Sequence, residues 1–469
     1  MLVPAFTLAA GVVVHYPPAA SNINNFTFAL NGAGAPGIFN SSTTPNPRYG
    51  VYNWCNMPHV RAREYKNPPK DFSLEYVEVI QRHHKRTPYA SNTFFKEDVA
   101  WSCVGSGPLL GVKASKGPGS EVPDIQWQAS TNAQNPWTKT VGPGFIGSTC
   151  QFPQITDQGL EDSITHGADL RAVYARRLGL DTHFNPSISQ IRVTNNVITS
   201  QVASGLVKGL FPGSAGIEAI IQASAFDSLE PSYPCSKASQ LRNTITSGSQ
   251  AWNDHLAKAA DLYAKLDAIS GTAPKDTAGW HSSFDHYYDN MSAKQCHGKS
   301  LPCSTNDTSL CVTQEMADTV YRIGNWEYSY QYRDAPESAQ YSALRYGAWV
   351  LELKGHLQDK ISGQSKMKYV HNIGHDGSIS SLLGFLQISN MVWPGMGSEV
   401  VFELYSQSKS SPHHDSTSKT FFIRGLWGGQ PLQTSTPLGV LDMVPVDDFF
   451  AYIDSMVGSG EELFSACNS

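Results

Sequence analysis

Seven consecutive residues, Arg82-His83-His84-Lys85-Arg86-Thr87-Pro88, gather much of the reactive chemistry of this 469-residue chain. Imidazole is both a nucleophile and a proton carrier near neutral pH. Guanidinium offers a planar fork of donors that matches phosphate or carboxylate oxygens. A histidine between two arginines therefore suits attack on an anion held by its oxygens, and Pro88 fixes the exit of the turn. A second constellation, His375-Asp376, sets an imidazole beside a carboxyl, and Arg192 is a third candidate. Taken singly, each has a plainer explanation: a solvated basic loop, an incidental dipeptide, a surface ion-pair partner.

Placement gives them weight. The β-prone run Leu74–Gln81 leads directly into the Arg82 turn. Met367–Gly374 leads into His375, with a helical run Ser378–Gln387 beyond, and Ile188–Val193 ends around Arg192. Ligands of open α/β sheets sit beyond the carboxyl ends of strands, so three such ends describe one anion pocket with a nucleophile and an acid. Similar runs at 187–194, 367–374, 399–406 and 419–425 include several too apolar to be half-exposed, which favours a sheet covered on both faces. Helical spacing marks 157–178 (Leu160, Ile164, Gly167, Tyr174, Leu178), the Trp252–Leu266 stretch and the Tyr341–Leu351 stretch. The expected fold class is α/β: a three-layer sandwich with a mostly parallel central sheet, built from 70–195 and 365–469. A mainly helical subdomain, 196–362, is inserted into it. The polar segment 406–418 then connects two late strands.

These residues resemble the histidine acid phosphatases, the group that includes fungal phytases. Arg82–Pro88 is similar to the family's R-H-G-x-R-x-P signature. Gln154-Ile155-Thr156 with Gly159, Gly167, Leu170-Arg171 and Tyr174 resembles its "QLT…G…G..LR..Y" helix. Ile191-Arg192-Val193-Thr194, then Gly209-Leu210-Phe211-Pro212, resembles its "R-S-T-D…GL-P" segment. His375-Asp376 resembles its catalytic H-D pair, and Glu399–Leu404 its late strand. The likeness runs in order through about residues 70–460. It implies that His83 is the nucleophile, that Arg82, Arg86, Arg192 and His375 bind the phosphoryl group, and that Asp376 is the proton donor. It also implies a small phosphomonoester as substrate, among which phytate, sugar phosphates, phosphoproteins and lysophospholipids all qualify.

The mechanism so implied is a neutral imidazole attacking phosphorus to give a phosphohistidine. Three arginines would neutralise the equatorial oxygens without Mg²⁺, so no metal or cofactor is expected. Asp376 would protonate the leaving alkoxide, then help activate water. That needs a protonated Asp beside a neutral His: the arginines would push His83 down and the phosphate's charge would push Asp376 up. Such a pair works best in acid. The sequence departs from the family at His84 (usually Gly), Asn195 (usually Asp) and Val197 (usually Arg). A histidine tolerates positive φ poorly, so the turn is expected to keep an ordinary backbone. His84 then either packs against the sheet's flank or faces the pocket rim beside Lys85.

Composition bounds the rest. A net charge of −6 with 16% charged residues and no basic run argues against nucleic acid as main partner. No uncharged apolar run reaches the roughly 18 residues of a spanning helix, so no stable membrane insertion is expected. Eight scattered cysteines, none in a CxxC, suit four disulfides in an oxidising compartment, buried free thiols being the other reading. Residues 1–20, with the apolar run MLVPAFTLAAGVVV ahead of Pro18-Ala19-Ala20-Ser21, are expected to be a signal peptide, although the basic n-region is missing. Residues 21–47 read as a flexible uncharged lead-in, with 48–469 as the domain. Sequons at Asn25, Asn40, Asn290 and Asn306 permit glycosylation of a secreted or cell-wall-associated protein. The sequence carries no signal for oligomeric state.

Two rivals oppose this reading. His83-His84 or His413-His414-Asp415 could ligate zinc, but adjacent histidines point apart, no H-x-x-x-H accompanies them, and the flanking arginines would repel a cation. A secreted glycoprotein using the pocket only to bind phosphorylated ligands is the second, motivated by the three departures.

Overall fold

The run Phe72–Arg82 becomes strand β1, whose Tyr76 and Ile80 join one apolar cluster while Val77 and Val79 join another. A strand apolar on both sides must be covered on both faces. Ser189–Val193 (β2), Tyr369–Gly374 (β3), Glu399–Lys409 (β4) and Ser418–Trp427 (β5) complete the long strands of the sheet, in spatial order β2-β3-β1-β4-β5. The β2, β3 and β1 strands run parallel; β4 opposes β1, and β5 opposes β4. Four of these five strands therefore point one way, the mostly parallel sheet expected. The computed structural model describes residues 13–38, 50–89 and 99–469, save for breaks between 105 and 146, within 274–278, at 305 and over 410–417. The segment His413-His414-Asp415 lies outside the described residues.

The helices that frame the sheet and its insertion are, in chain order, Phe26–Asn31 (α1), Asp157–Leu178 (α2), Val197–Leu210 (α3), Asp285–Cys296 (α4), Gln314–Ser329 (α5), Ser338–Ile361 (α6), Asp376–Phe385 (α7) and Val446–Val457 (α8). The α2 and α3 helices cover the Val77 face; α6, α7 and α8 cover the Tyr76 face. Thr156 caps α2 by accepting from the Gly159 amide, and Gly179 closes it in the left-handed region at φ 65°. A Cβ at Gly159 would stand 2.0 Å from the Lys85 carbonyl oxygen, and one at Gly167 would stand 2.1 Å from that of Leu206. Glycine is what lets α2 touch both the loop after β1 and α3.

Two expectations need correction. The stretch 196–362 is helical, but α3 and α6 are layers of the sandwich, so only the helices between them form the insertion, around α4, α5 and an aromatic core of their own. Nor is residue 20 a boundary of the fold. Val13 packs against the core, His15 Nε2 lies 2.9 Å from the Arg333 carbonyl, and the Tyr16 amide donates to Gln387 Oε1. In the expected lead-in, Asn25 caps α1, and Phe26, Leu30 and Ile38 dock on the insertion's core. Their apolar side chains are spaced too thinly among Asn, Gly and Ala to mark a packed segment by composition.

All eight cysteines pair, as Cys55–Cys296, Cys103–Cys150, Cys235–Cys467 and Cys303–Cys311. Of the sequons, Asn290 is fully buried in α4, which removes it as an acceptor in the folded protein.

His84 is a structural residue. It has no positive φ, it is fully buried, and its Nε2 lies 3.2 Å from His166 Nδ1. His166 Nε2 reaches Glu399 Oε2 at 2.9 Å, and His59 stacks on His166 with ring centroids 4.0 Å apart. Lys85 is turned inward as well, paired with Asp162 of α2 at 3.1 Å. Burial, joined by neighbouring histidines, holds His84, His166 and His371 below the ordinary imidazole range, and burial takes His297 to about 4.

Depressed histidines make stability depend on pH. Unfolded imidazole titrates near 6.5. Below that pH the unfolded chain takes up protons that the native chain refuses, so stability must fall as the medium is acidified. The melting temperature should drop steadily from about pH 7 to about pH 4; a rise over that interval would contradict the neutral cluster. His84→Ala should cost about 2–4 kcal/mol in denaturant unfolding, as expected for emptying a buried site, with little change in turnover by the folded fraction.

Candidate active site

Parallel pairing sets the site's frame. Arg82 at the end of β1 stands opposite Gly374 at the end of β3, so the next residues out, His83 and His375, emerge side by side with ring centroids 5.6 Å apart. On the far side of β3, Val193 pairs with Ile373, which brings Thr194 to His375; its Oγ1 lies 3.0 Å from His375 Nε2. His375 then caps α7, and Asp376 is that helix's first residue.

The tautomer of His83 follows from its neighbour. Nδ1 lies 2.9 Å from the His84 carbonyl oxygen, which can only accept, so Nδ1 carries the hydrogen and Nε2 keeps its lone pair. Burial, then the charges of Arg82, Arg86 and His375, hold the ring well below the usual imidazole range. The neutral form of His83 is thus favoured, as a nucleophile requires.

Both flanking arginines are fixed. Arg82 donates to the Pro394 carbonyl and pairs with Asp376 Oδ2 at 3.2 Å, its guanidinium lying 4.6 Å from the Trp54 ring centroid. Arg86 pairs with Asp289 Oδ1 of α4 at 2.9 Å and lies 4.2 Å from the Tyr89 ring centroid. Each keeps a buried Nε–H with no acceptor among the described residues, the kind of unmet donor that recurs at functional sites. Asp376 accepts from the Trp393 indole N–H at 2.8 Å and from the Tyr328 hydroxyl at 3.3 Å, and those two rings stack at 4.0 Å. Burial favours its neutral acid, but Arg82, the indole, His375 and Arg86 outweigh it and lower the carboxyl's pKa. In the free protein Asp376 therefore favours its carboxylate, and, as the sequence reading expects, a phosphoryl dianion beside it is what would raise it.

Arg192 does not join this group. Residues alternate along β2, so Arg192 turns toward α6, where its guanidinium meets Glu352 at 2.6 Å, Gln222 at 2.7 Å, Ser228 at 2.9 Å and Asp227 at 3.0 Å. Its expected role on the phosphoryl group is replaced by a closed ion-pair network. Two residues on, Thr194 reaches the site instead. Sequence reasoning also missed Trp54, Asp289, Tyr328 and Trp393. They come from four separate segments, and only the folded chain brings them to Arg82, Arg86 and Asp376. Glu230, from the insertion, completes the surroundings with its Oε2 3.5 Å from His375 Nε2.

Known proteins share this fold. Residues 73–426 match the description "Histidine phosphatase superfamily (branch 2)". "Counting factor 60" of Dictyostelium discoideum is 26% identical over 402 residues, covering 81% of this chain and 85% of that protein. "2-phosphoxylose phosphatase 1" of Danio rerio is 21% identical over 468 residues, covering 92% and 88%. Among solved structures, the phytase of Hafnia alvei in complex with tartrate superposes with a TM-score of 0.52 at 13% identity, over 85% of this chain and 99% of that one. With the family match spanning three-quarters of its length, this chain belongs to branch 2 of the histidine phosphatase superfamily.

Proposed function

We propose that the protein hydrolyses phosphomonoesters through a phosphohistidine at His83, with Asp376 as proton donor, and does so best in acid. Family membership supports the broad class, a phosphoric monoester hydrolase. The observation that carries the finer reading is the neutral, Nδ1-protonated His83 with its free Nε2 among Arg82, Arg86 and His375. Nε2 attacks phosphorus, and the ester P–O bond breaks with its electron pair passing to the leaving oxygen. Asp376 protonates that oxygen. Water then attacks the phosphohistidine, giving a proton to Asp376, and the P–N pair returns to Nε2. Arg82, Arg86 and His375 hold the equatorial oxygens throughout.

Relatives named for a sugar phosphate and for lysophosphatidic acid favour a small monoester as substrate. Four disulfides favour secretion or another oxidising compartment. The withdrawal of Arg192 favours a second reading, in which the pocket binds phosphorylated ligands without turnover. Release of p-nitrophenol from p-nitrophenyl phosphate in acid buffer separates the two.

Three outcomes are expected. Rapid quenching should trap acid-labile, base-stable phosphate on the protein, and His83→Ala should abolish it; label that survives the substitution sinks the nucleophile. Asp376→Asn should slow alkyl phosphates on the order of tenfold or more beyond its effect on p-nitrophenyl phosphate, whose leaving group needs little protonation. Equal losses would deny Asp376 the role of acid. Because Asp376 favours its carboxylate in the free protein, kcat/KM should climb as the pH is lowered from neutrality, and this climb should vanish in Asp376→Asn. A profile identical to that of the parent protein would show that another group controls the acid limb.

A further inference from the structure

Glu230 stands out because nothing in the mechanism uses it. Its carboxylate oxygen lies 3.5 Å from His375 Nε2, the nitrogen that also meets Thr194 and that a phosphoryl oxygen would need, and 44% of the side chain is exposed. A carboxylate and a phosphoryl oxygen cannot both occupy that nitrogen's surroundings without repulsion. The groups facing Glu230 are His375 at the start of α7, Arg345 of α6 and Thr194 after β2. Hydrogen bonding to His375 leads the effects that keep its acid strong, ahead of the opposing burial.

The carboxylate is presented by a built platform. Asp227 Oδ1 takes both Arg192 Nη2 and the Leu229 amide, at 3.0 and 2.9 Å. Ser228 bridges Arg192 and Glu352, each at 2.9 Å, and its amide donates to Gln222 Oε1 at 3.0 Å. Leu229 is wholly buried in the core, and its carbonyl accepts from the Tyr346 hydroxyl. The arginine that left the pocket thus anchors the turn that brings Glu230 to it.

We propose that Glu230 is a specificity-determining residue: it occupies His375 in the free enzyme, yields that place to one phosphoryl group, and then penalises any further anionic group beside the ester. The natural substrate would be an isolated monoester on an uncharged body rather than a polyphosphate. This rests on the phosphatase reading above, yet the carboxylate's effect on anion binding can be measured without turnover.

The test uses the full-length protein and Glu230→Gln, which keeps size and exposure while removing charge. Calorimetry with inorganic phosphate at about pH 6, where the carboxylate is ionised, should give a Kd lowered about three- to tenfold by the substitution. With p-nitrophenyl phosphate the change should fall mainly in KM. The kcat/KM ratio of inositol hexakisphosphate to p-nitrophenyl phosphate should rise by a larger factor than either Kd or KM moves. Weaker or unaltered phosphate binding, or an unchanged ratio, overturns the proposal. Glu230→Asp should retain most of the parent's discrimination, and a variant as permissive as Glu230→Gln would also overturn it. If the parent protein turns over no monoester while phosphate binding still tightens in Glu230→Gln, the phosphatase reading fails and the competition stands.

Discussion

The registration of Arg82 opposite Gly374 is the constraint on which the site depends. Strands β1 and β3 are parallel, so their carboxyl ends lie together and each continues into a reactive histidine. A one-residue slip would invert the side-chain alternation along a strand and send Arg82 to the face now holding Gln81. The register is secured from both sides: Glu78 accepts from the Asn372 side chain at 3.0 Å, and Gln81 meets His371 at 2.8 Å. Buried polar pairs of this kind have one satisfying arrangement, and they fix it where apolar packing alone would tolerate a shift.

Charge is balanced residue by residue around that frame. Each group that could hold a phosphoryl oxygen has its own carboxylate: Arg82 with Asp376, Arg86 with Asp289, His375 with Glu230. Burying the two arginines uncompensated would cost more than the fold could bear. The carboxylates therefore stabilise the free protein.

Much of this was legible in the sequence because local pattern and function coincide there. The five long strands announced themselves through apolar runs, and α2 through the helical spacing of its apolar residues. His83, His375 and Asp376 stood at strand ends, where an α/β sheet displays its ligands. Arg192 misled because a strand-end position fixes where a residue sits but not which partners claim its side chain: it shares a face of the sheet with Arg82. Glu352 of α6 and Asp227 of the insertion, which claim it, are distant in sequence. The docking of residues 13–38 escaped for a related reason: its partners, such as Arg322 of α5 holding the Ala29 carbonyl at 3.0 Å, are distant in sequence.

The same topology governs how the chain must be born. Strand β1 leaves the ribosome early, with both faces apolar and both edges unmet. Its neighbours β3 and β4 follow only after the entire helical insertion has been made. During that interval a strand apolar on both faces has no sheet to enter. The α2 and α3 helices, synthesised soon after, can shield one face but neither edge. A vectorially made chain would therefore hold Arg82 and His83 on an unfinished ribbon until the last quarter of the sequence arrives, so the candidate site is among the final features the nascent protein assembles.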